Sequence, residues 1–348
     1  MSARTLPTLN LRDASTFPSR RVEAWKYTDL RKHLREAPTP SAEAAVVGEG
    51  PFAALDGDAL VFANGRAIGA DAFVASGVQT LRLRFVSDTA GTGHTASVKI
   101  AARPGAKLLL LESHEGAGAD YVAHNRVDID VAAGAEVTRL VLVEEPAEAL
   151  SITDVDVKVA PGAVYRQTTV TTGGKLQRQA TTVANGGDAA AVRLDGLYSL
   201  NGARHTDLTS VVSHSGLNGQ TSQLTKGVVR DTARGVFQGK IVVERGADGT
   251  DARMGHHALI LGERAEVDAK PELIIYADDV QCAHGNTIGA LDEEALFFAM
   301  SRGIPEETAR AMLTHAFVLP VADAIEDEVL RETVLNFLEN ASENFHAL

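Results

Sequence analysis

The sequence predicts a mainly β protein wound as a β-solenoid, and three observations carry that prediction. A unit of alternating apolar residues, a Gly beside Ala and a second β-branched run recurs along the middle of the chain. Examples are Val98-Lys-Ile-Ala-Ala-Arg-Pro-Gly-Ala106, Val127-Asp-Ile-Asp-Val-Ala-Ala-Gly-Ala135 and Val155-Asp-Val-Lys-Val-Ala-Pro-Gly-Ala163. The marker glycines, extended by looser matches, fall at Gly105, Gly134, Gly162, Gly187, Gly216 and Gly246, separated by 29, 28, 25, 29 and 30 residues. A period of that size marks stacked repeats. Side chains alternate with period two inside each unit, so strands supply the repeat. A propeller blade needs about 40–50 residues for its four strands. This unit holds two or three short strands, enough for one rung of a solenoid in which each rung covers the apolar face of the next and only the ends need caps.

Before the repeats, Phe17 to Leu34 reads as a short helical unit with Trp25, Leu30 and Leu34 as its larger apolar groups. Ala37 to Pro51, rich in Pro, Ala, Gly and Glu, reads as a linker, and Leu60-Val-Phe-Ala-Asn-Gly65 as a strand entering a turn. The periodicity stops near Gly289. Asp292 is placed to cap a helix carrying Leu296 and Met300, with Gly303 just past its end. Pro305 suits the first turn of the next helix, which runs through Ala309, Met312 and Leu313 toward Phe317 and is expected to break at Pro320. A last helix is expected from about Ala322 to Phe345, with Leu330, Val334, Phe337 and Ala341 on one stripe. The chain divides accordingly into an N-terminal helical unit and linker (1–50), a β-solenoid core (51–290) and a C-terminal helical unit (291–348) expected to cap the solenoid.

Composition excludes several functions. The net charge is −13, with no basic run able to neutralise phosphates, so neither nucleic acid nor a membrane surface is an expected partner. Met1 to Leu11 lacks a signal-peptide pattern, and no apolar run approaches the ~20 residues that span a bilayer. A soluble, cytoplasmic protein is expected. The single cysteine, Cys282, rules out an intrachain disulfide or a site built from several of this chain's thiolates. The sequence lacks a phosphate-binding Gly-x-x-x-x-Gly-Lys-Ser/Thr loop, a nucleophile elbow and a His-Glu-x-x-His pair, so no enzymatic activity is expected.

One segment stands apart, Asp278-Asp-Val-Gln-Cys-Ala-His-Gly-Asn-Thr287. Residues two apart on a strand point the same way, so Cys282 and His284 share a face. Thiolate and imidazole together suit soft or borderline metals and iron–sulfur species. The competing reading is a packed, inert Cys beside a hydrogen-bonded His. Iron–sulfur clusters usually take four protein ligands and this segment offers two, so a cluster here needs ligands from a second chain. His256 and His257 fall on opposite faces of a strand, which leaves at most one for any shared site. His205 and His214 are read as structural.

These residues carry a resemblance. Lys270-Pro-Glu-Leu-Ile-Ile-Tyr-Ala-Asp-Asp-Val-Gln-Cys-Ala-His-Gly-Asn-Thr-Ile-Gly289, continued by Leu296-Phe-Phe-Ala-Met-Ser-Arg-Gly-Ile304, resembles the signature of the SufB/SufD family of SUF iron–sulfur cluster assembly proteins. Phe237-Gln-Gly-Lys-Ile-Val-Val243 and Glu23-Ala-Trp-Lys-Tyr-Thr28 are also similar to it. Gly285 follows His284 where SufB-like chains tend to carry Glu, which resembles the SufD branch; Asn286 stands where the family often has Ala.

The resemblance implies a right-handed parallel β-helix. It further implies a non-ATPase scaffold in a complex of SufB, SufD and two copies of the ATPase SufC, with SufC docked on the C-terminal helices and the two β-helices side by side. SufC motion on ATP would open the SufB–SufD interface to a transient iron–sulfur cluster or iron. There His284 would be this chain's ligand, with Cys282 a second candidate. A reduced flavin is associated with the family's complex, although no flavin motif is visible here. The other readings are a β-helix enzyme acting on carbohydrate or transferring acyl groups, an inert scaffold, and a homodimeric scaffold working without SufB.

Overall fold

In the computed structural model, which describes residues 9–44 and 48–341, the repeat resolves into two facing parallel sheets. From Val78–Ser87 onward, successive strands alternate between a ten-stranded and a nine-stranded sheet, so one turn of the solenoid contains two strands. Among the described strands the antiparallel ladder is the hairpin of Asp58–Ala63 with Arg66–Ile68, turned by Asn64 and Gly65, both at positive φ, and an isolated antiparallel bridge joins Gly174 to His205. The nine-stranded sheet ends on Glu266–Ile275 and the ten-stranded sheet on Gln281–Gly289. No helix among the described residues is long and apolar enough to cross a membrane.

Period-two alternation produces the core directly. In the nine-stranded sheet Ile100, Ile129, Val157, Val183, Val212 and Ile241 stand in register on successive turns, each at most 2% exposed. β-branched side chains pack well in such a ladder. The inner face of the ten-stranded sheet also carries buried polar groups. Glu112 and Arg139 lie inside the solenoid, both fully buried, with Arg139 Nε and Nη2 donating to the carboxylate at 2.9 and 2.7 Å. Arg139 also donates to Gln167, and His114 Nε2 lies 2.8 Å from Glu112. Burial alone would push the Glu112 carboxyl up. The Arg139 charge and the His114 contact overcome it and hold the pKa at about 2.

The turns correct the sequence reading of the repeat. Gly105, Gly134 and Gly162 adopt positive φ, and each N–H donates to a carbonyl one turn further on, at Ala133, Pro161 and Asp188. The next members of that stack are Ala189, Asn218 and Gly249, whose N–H groups donate to Leu217, Asp248 and Asp279. Gly187, Gly216 and Gly246 are therefore not the equivalent positions. Ala189 (φ 53°) and Asn218 (φ 55°) bear the left-handed conformation without glycine, so the marker disappears from the sequence there. Gly187 serves a different need: a Cβ on it would collide with the Ala160–Pro161 backbone.

The N-terminal segment is less helical than expected, with two short 3-10 turns (Ala14–Thr16 and Glu23–Trp25) and one helical turn, α1 (Leu30–His33). It lies across the outside of the nine-stranded sheet, where Leu9, Leu11, Phe17, Trp25 and Leu30 cover Val122, Leu150, Ile152 and Leu176. Trp25 stacks over Arg178 at 4.4 Å, Thr28 donates to Asp207, and Arg178 pairs with the same carboxylate.

Beyond the last strand come α2 (Glu293–Ser301), α3 (Glu306–Ala322) and α4 (Glu328–Ala341). Asp292 caps α2 through Glu294 N and Ala295 N, and Gly303 has positive φ past its end. Pro320 does not break α3. It sits in the last turn, and burial of Val318, Val321 and Ala322 outweighs the one lost hydrogen bond. α4 starts later than expected, behind Asp327, and buries Leu330, Val334 and Leu338. The side chain of Ala341 and the expected end at Phe345 lie outside the described residues.

These helices do not cap the solenoid. Their apolar stripe packs on the outer face of the ten-stranded sheet, where Leu111, Leu140, Leu142, Val170, Leu197 and Val228 form an apolar band. Burial of that band against Val318, Val321, Leu330, Val334 and Leu338 holds the helices there.

Candidate functional site at the open end of the solenoid

Docking of the helices on the side leaves the last turn uncovered among the described residues. The strand Gln281–Gly289 pairs on one edge with Asp251–Ile260 and carries no further strand, and the same holds for Glu266–Ile275 in the other sheet. Both edges therefore present unpaired backbone N–H and C=O groups.

Register decides which side chains face inward. Cys282, His284, Asn286 and Ile288 stack on Ala252, Met254, His256 and Ala258, all at most 3% exposed. The shared face expected for Cys282 and His284 is thus the inner face of the solenoid at its uncovered end. Cys282 is half-buried against Ala252, Met254, Leu273 and Val280. Burial pushes its thiol up, a backbone hydrogen bond from Ala252 draws it down, and the nearby Asp251 carboxylate adds to the rise. Its net state is a thiol, a weak ligand until a metal displaces the proton.

His284 is exposed, and its imidazole has no hydrogen-bond partner among the described residues. A neutral imidazole so placed can ligate a metal through either nitrogen. No group of three or more His, Cys, Asp or Glu side chains that could hold a metal ion occurs among the described residues.

The other histidines separate as their strand positions dictate. His257 points outward and lies 2.7 Å from Thr287. His256 is wholly buried, 2.9 Å from the Tyr198 hydroxyl through Nε2 and 2.7 Å from Asn286 Oδ1 through Nδ1, and stacked on Phe237 with ring centroids 4.8 Å apart. Burial chiefly lowers its pKa to about 4, with the Asn286 contact opposing and His257 reinforcing the shift. His214 is buried beside Thr221 and Asn185, and His205 beneath the N-terminal segment, near His33.

Sequence reasoning missed the link from Tyr198 through His256 to Asn286, since Tyr198 and His256 stand 58 residues apart and meet only through the register of two turns. It also left unconnected the distant blocks that the fold joins on the outer face of the nine-stranded sheet. Lys270 pairs with Glu23 and, at 3.3 Å, with Glu272; Gln238 donates to the Ala24 carbonyl and to Asp207. These contacts clamp the N-terminal segment next to the last turns and touch neither Cys282 nor His284.

Fold and site define a class: a parallel β-solenoid with helical appendages that displays its most distinctive sequence block on an uncovered last turn. Residues 85–317, two thirds of the chain, match the family model described as SUF system FeS cluster assembly, SufBD core domain. The chain belongs to the SufB/SufD family of the SUF iron–sulfur cluster assembly system. It is 29% identical to the iron–sulfur cluster assembly protein SufD of Escherichia coli, an alignment covering 91% of this chain and 88% of that one. It is 35% identical to a SufBD family protein of Synechocystis over 46% of this chain and 36% of the relative. To SufD of Bacillus subtilis it is 32% identical over 40% of this chain and 32% of the relative.

Proposed function

We propose that this chain is the SufD-type, non-ATPase scaffold of a cytoplasmic SUF complex, and that it contributes His284 as a ligand to iron or a nascent cluster shared with a partner chain. One observation carries the reading. An imidazole without a hydrogen-bond partner stands on the inner face of a solenoid turn that nothing among the described residues covers. Ile275, Tyr276 and Ile288, at or just past the ends of the two last strands, are at least 41% exposed, and two strand edges lie open. An apolar rim with unpaired edges is a surface that a partner's strands would bury. The partner is a SufB-type chain meeting this end, an end-to-end junction in place of the side-by-side pairing that family resemblance suggests.

Helices α2–α4, the C-terminal unit 291–348, are the dock for the ATPase SufC. Phe297, Phe298, Met300 and Met312 project outward there, between 40% and 73% exposed. ATP-driven motion of the docked subunit would reach the open end through the short link from Gly289 to Glu293, exposing the ligand site. A neutral imidazole releases iron more readily than thiolate does, which suits a transient site.

Co-expression with the SufB- and SufC-type chains of the same cell tests the assembly. The three should co-purify. Ile288→Arg should release the SufB-type chain and retain SufC, because it places a charge on the rim alone. Retention of both partners at wild-type level would place the junction elsewhere. A wild-type chain that forms only homodimers under co-expression would favour the SufD-only scaffold, a reading open to a face that can meet its own copy across a two-fold axis.

A further inference from the structure

Behind the open end lies a buried hydrogen-bonded chain that the ligand reading does not use. Tyr198 is fully buried, and among the described residues its hydroxyl has one partner, His256 Nε2. If that hydroxyl accepted from the ring, its own proton would be left buried and unpaired, at the full desolvation penalty of the group. Tyr198 therefore donates to Nε2. His256 is itself fully buried, with no carboxylate among its hydrogen-bond partners, and so is neutral. Its one proton must then sit on Nδ1, and Nδ1–H donates to Asn286 at 2.7 Å.

The consequence falls on the exposed residue. A group that accepts from Nδ1–H must present its carbonyl oxygen, which turns the Asn286 amide nitrogen away from His256. The rings are packed against a flip, so Nε2 stays on Tyr198 and Nδ1 on Asn286. Phe237 stacks on His256 with 6° between planes, and a Cβ on Gly227 or Gly235 would collide with the Tyr198 ring. Asn286 is exposed, on the same inner face as His284 and two residues along the strand, and its amide nitrogen has no partner among the described residues.

We propose that the Asn286 carboxamide is an oriented hydrogen-bond donor to the anionic sulfur, sulfide or hydrosulfide, of whatever iron–sulfur species His284 holds, with Tyr198 and His256 as its positioning residues. Sulfide on iron accepts N–H bonds, and such bonds raise the reduction potential of a cluster. The inference rests on the ligand reading of His284 and adds to it a second, non-ligating contact.

Two measurements test it. Nitrogen-15 histidine spectra of the full chain, with the His256 signal identified by its loss in His256→Gln, should show the proton on Nδ1; a proton on Nε2 would overturn the proposal without reference to any cluster. The second uses the complex of this chain with its partners, reconstituted with ferrous iron and sulfide. Asn286→Ala should give a cluster of lower reduction potential that a chelator strips several-fold faster, and Asn286→Asp, which offers only an acceptor, should be worse. Tyr198→Phe should move both readouts in the direction of Asn286→Ala; because that residue is buried, the exposed Asn286 variants remain decisive should it fold poorly. If His284→Ala abolishes the cluster while Asn286→Ala and Asn286→Asp match wild type in potential and chelation rate, this inference fails and the ligand reading stands. If His284→Ala forms the wild-type cluster, the ligand reading fails and the inference with it.

Discussion

The buried Glu112–Arg139 pair offers a quantitative check on how the solenoid interior tolerates charge. Glu112 is held at a pKa of about 2, against an ordinary value of 4.5. A difference of about 2.5 units, at roughly 1.4 kcal/mol per unit, makes the fold about 3 kcal/mol more stable at neutral pH than it is with Glu112 protonated. The sign follows from the depressed pKa. The contribution is complete above the unfolded value near 4.5 and is lost as pH falls through 4.5 toward 2. Arg139→Met removes the counter-charge and leaves a carboxylate with no water to solvate it, which costs roughly 3–5 kcal/mol. In that variant only the His114 contact still opposes burial, the largest influence on Glu112, so its pKa rises and the deficit should be largest at pH 7 and shrink as acid supplies the proton. The double variant Glu112→Leu with Arg139→Met should recover most of the loss, since both charges leave together. Urea unfolding followed by circular dichroism at pH 7 and pH 5 measures all three. A loss below about 1 kcal/mol for Arg139→Met at pH 7, or a loss that grows on acidification, would refute the reasoning.

Gly134→Ala should cost about 1 kcal/mol, because φ is +65° but nothing lies near the new methyl, whereas Gly187→Ala should lower the melting temperature further by driving a methyl into the Ala160 backbone. Trp25→Ala removes a 4%-exposed ring from over Arg178 and should cost about 3–5 kcal/mol. Limited proteolysis should then cut before residue 40 while the solenoid stays intact, and unchanged protection would show that Trp25 does not anchor the segment. Phe297→Ser with Phe298→Ser should weaken SufC co-purification at least tenfold with the melting temperature unchanged, both rings being more than half exposed; undiminished binding would place the dock off α2.

The solenoid was legible because its physics is local: period-two alternation and a turn every 25–30 residues are written into Val98–Ala106 and its successors. The marker failed where the conformation outlived the residue, at Ala189 and Asn218. The caps of α2 were legible for the same reason, Asp292 acting on its own next residues. The place of the helices was not, since it depends on the outward Leu and Val rows of five different strands meeting a stripe from α3 and α4. Pro320 misled because helix rules weigh one lost bond, and the burial of Val321 and Ala322 weighs more. At the site, spacing was enough to put Cys282 and His284 on one face. That this face is the uncovered inner one follows from where the repeat ends and the helices go, and the Tyr198–His256–Asn286 chain from register across turns.

The central claim is tested most directly at His284. His284→Ala should leave the melting temperature within about 1 °C of wild type, since an exposed imidazole with no partner contributes little to the fold. It should leave co-purification with SufB- and SufC-type chains intact, and it should abolish the visible absorption of clusters assembled on the complex from iron and sulfide. Cys282→Ala, made in parallel, should cost modest stability from lost packing; if it keeps the clusters, the thiol only packs. A His284→Ala complex that assembles clusters at the wild-type rate and yield would contradict the account and leave an inert scaffold in its place.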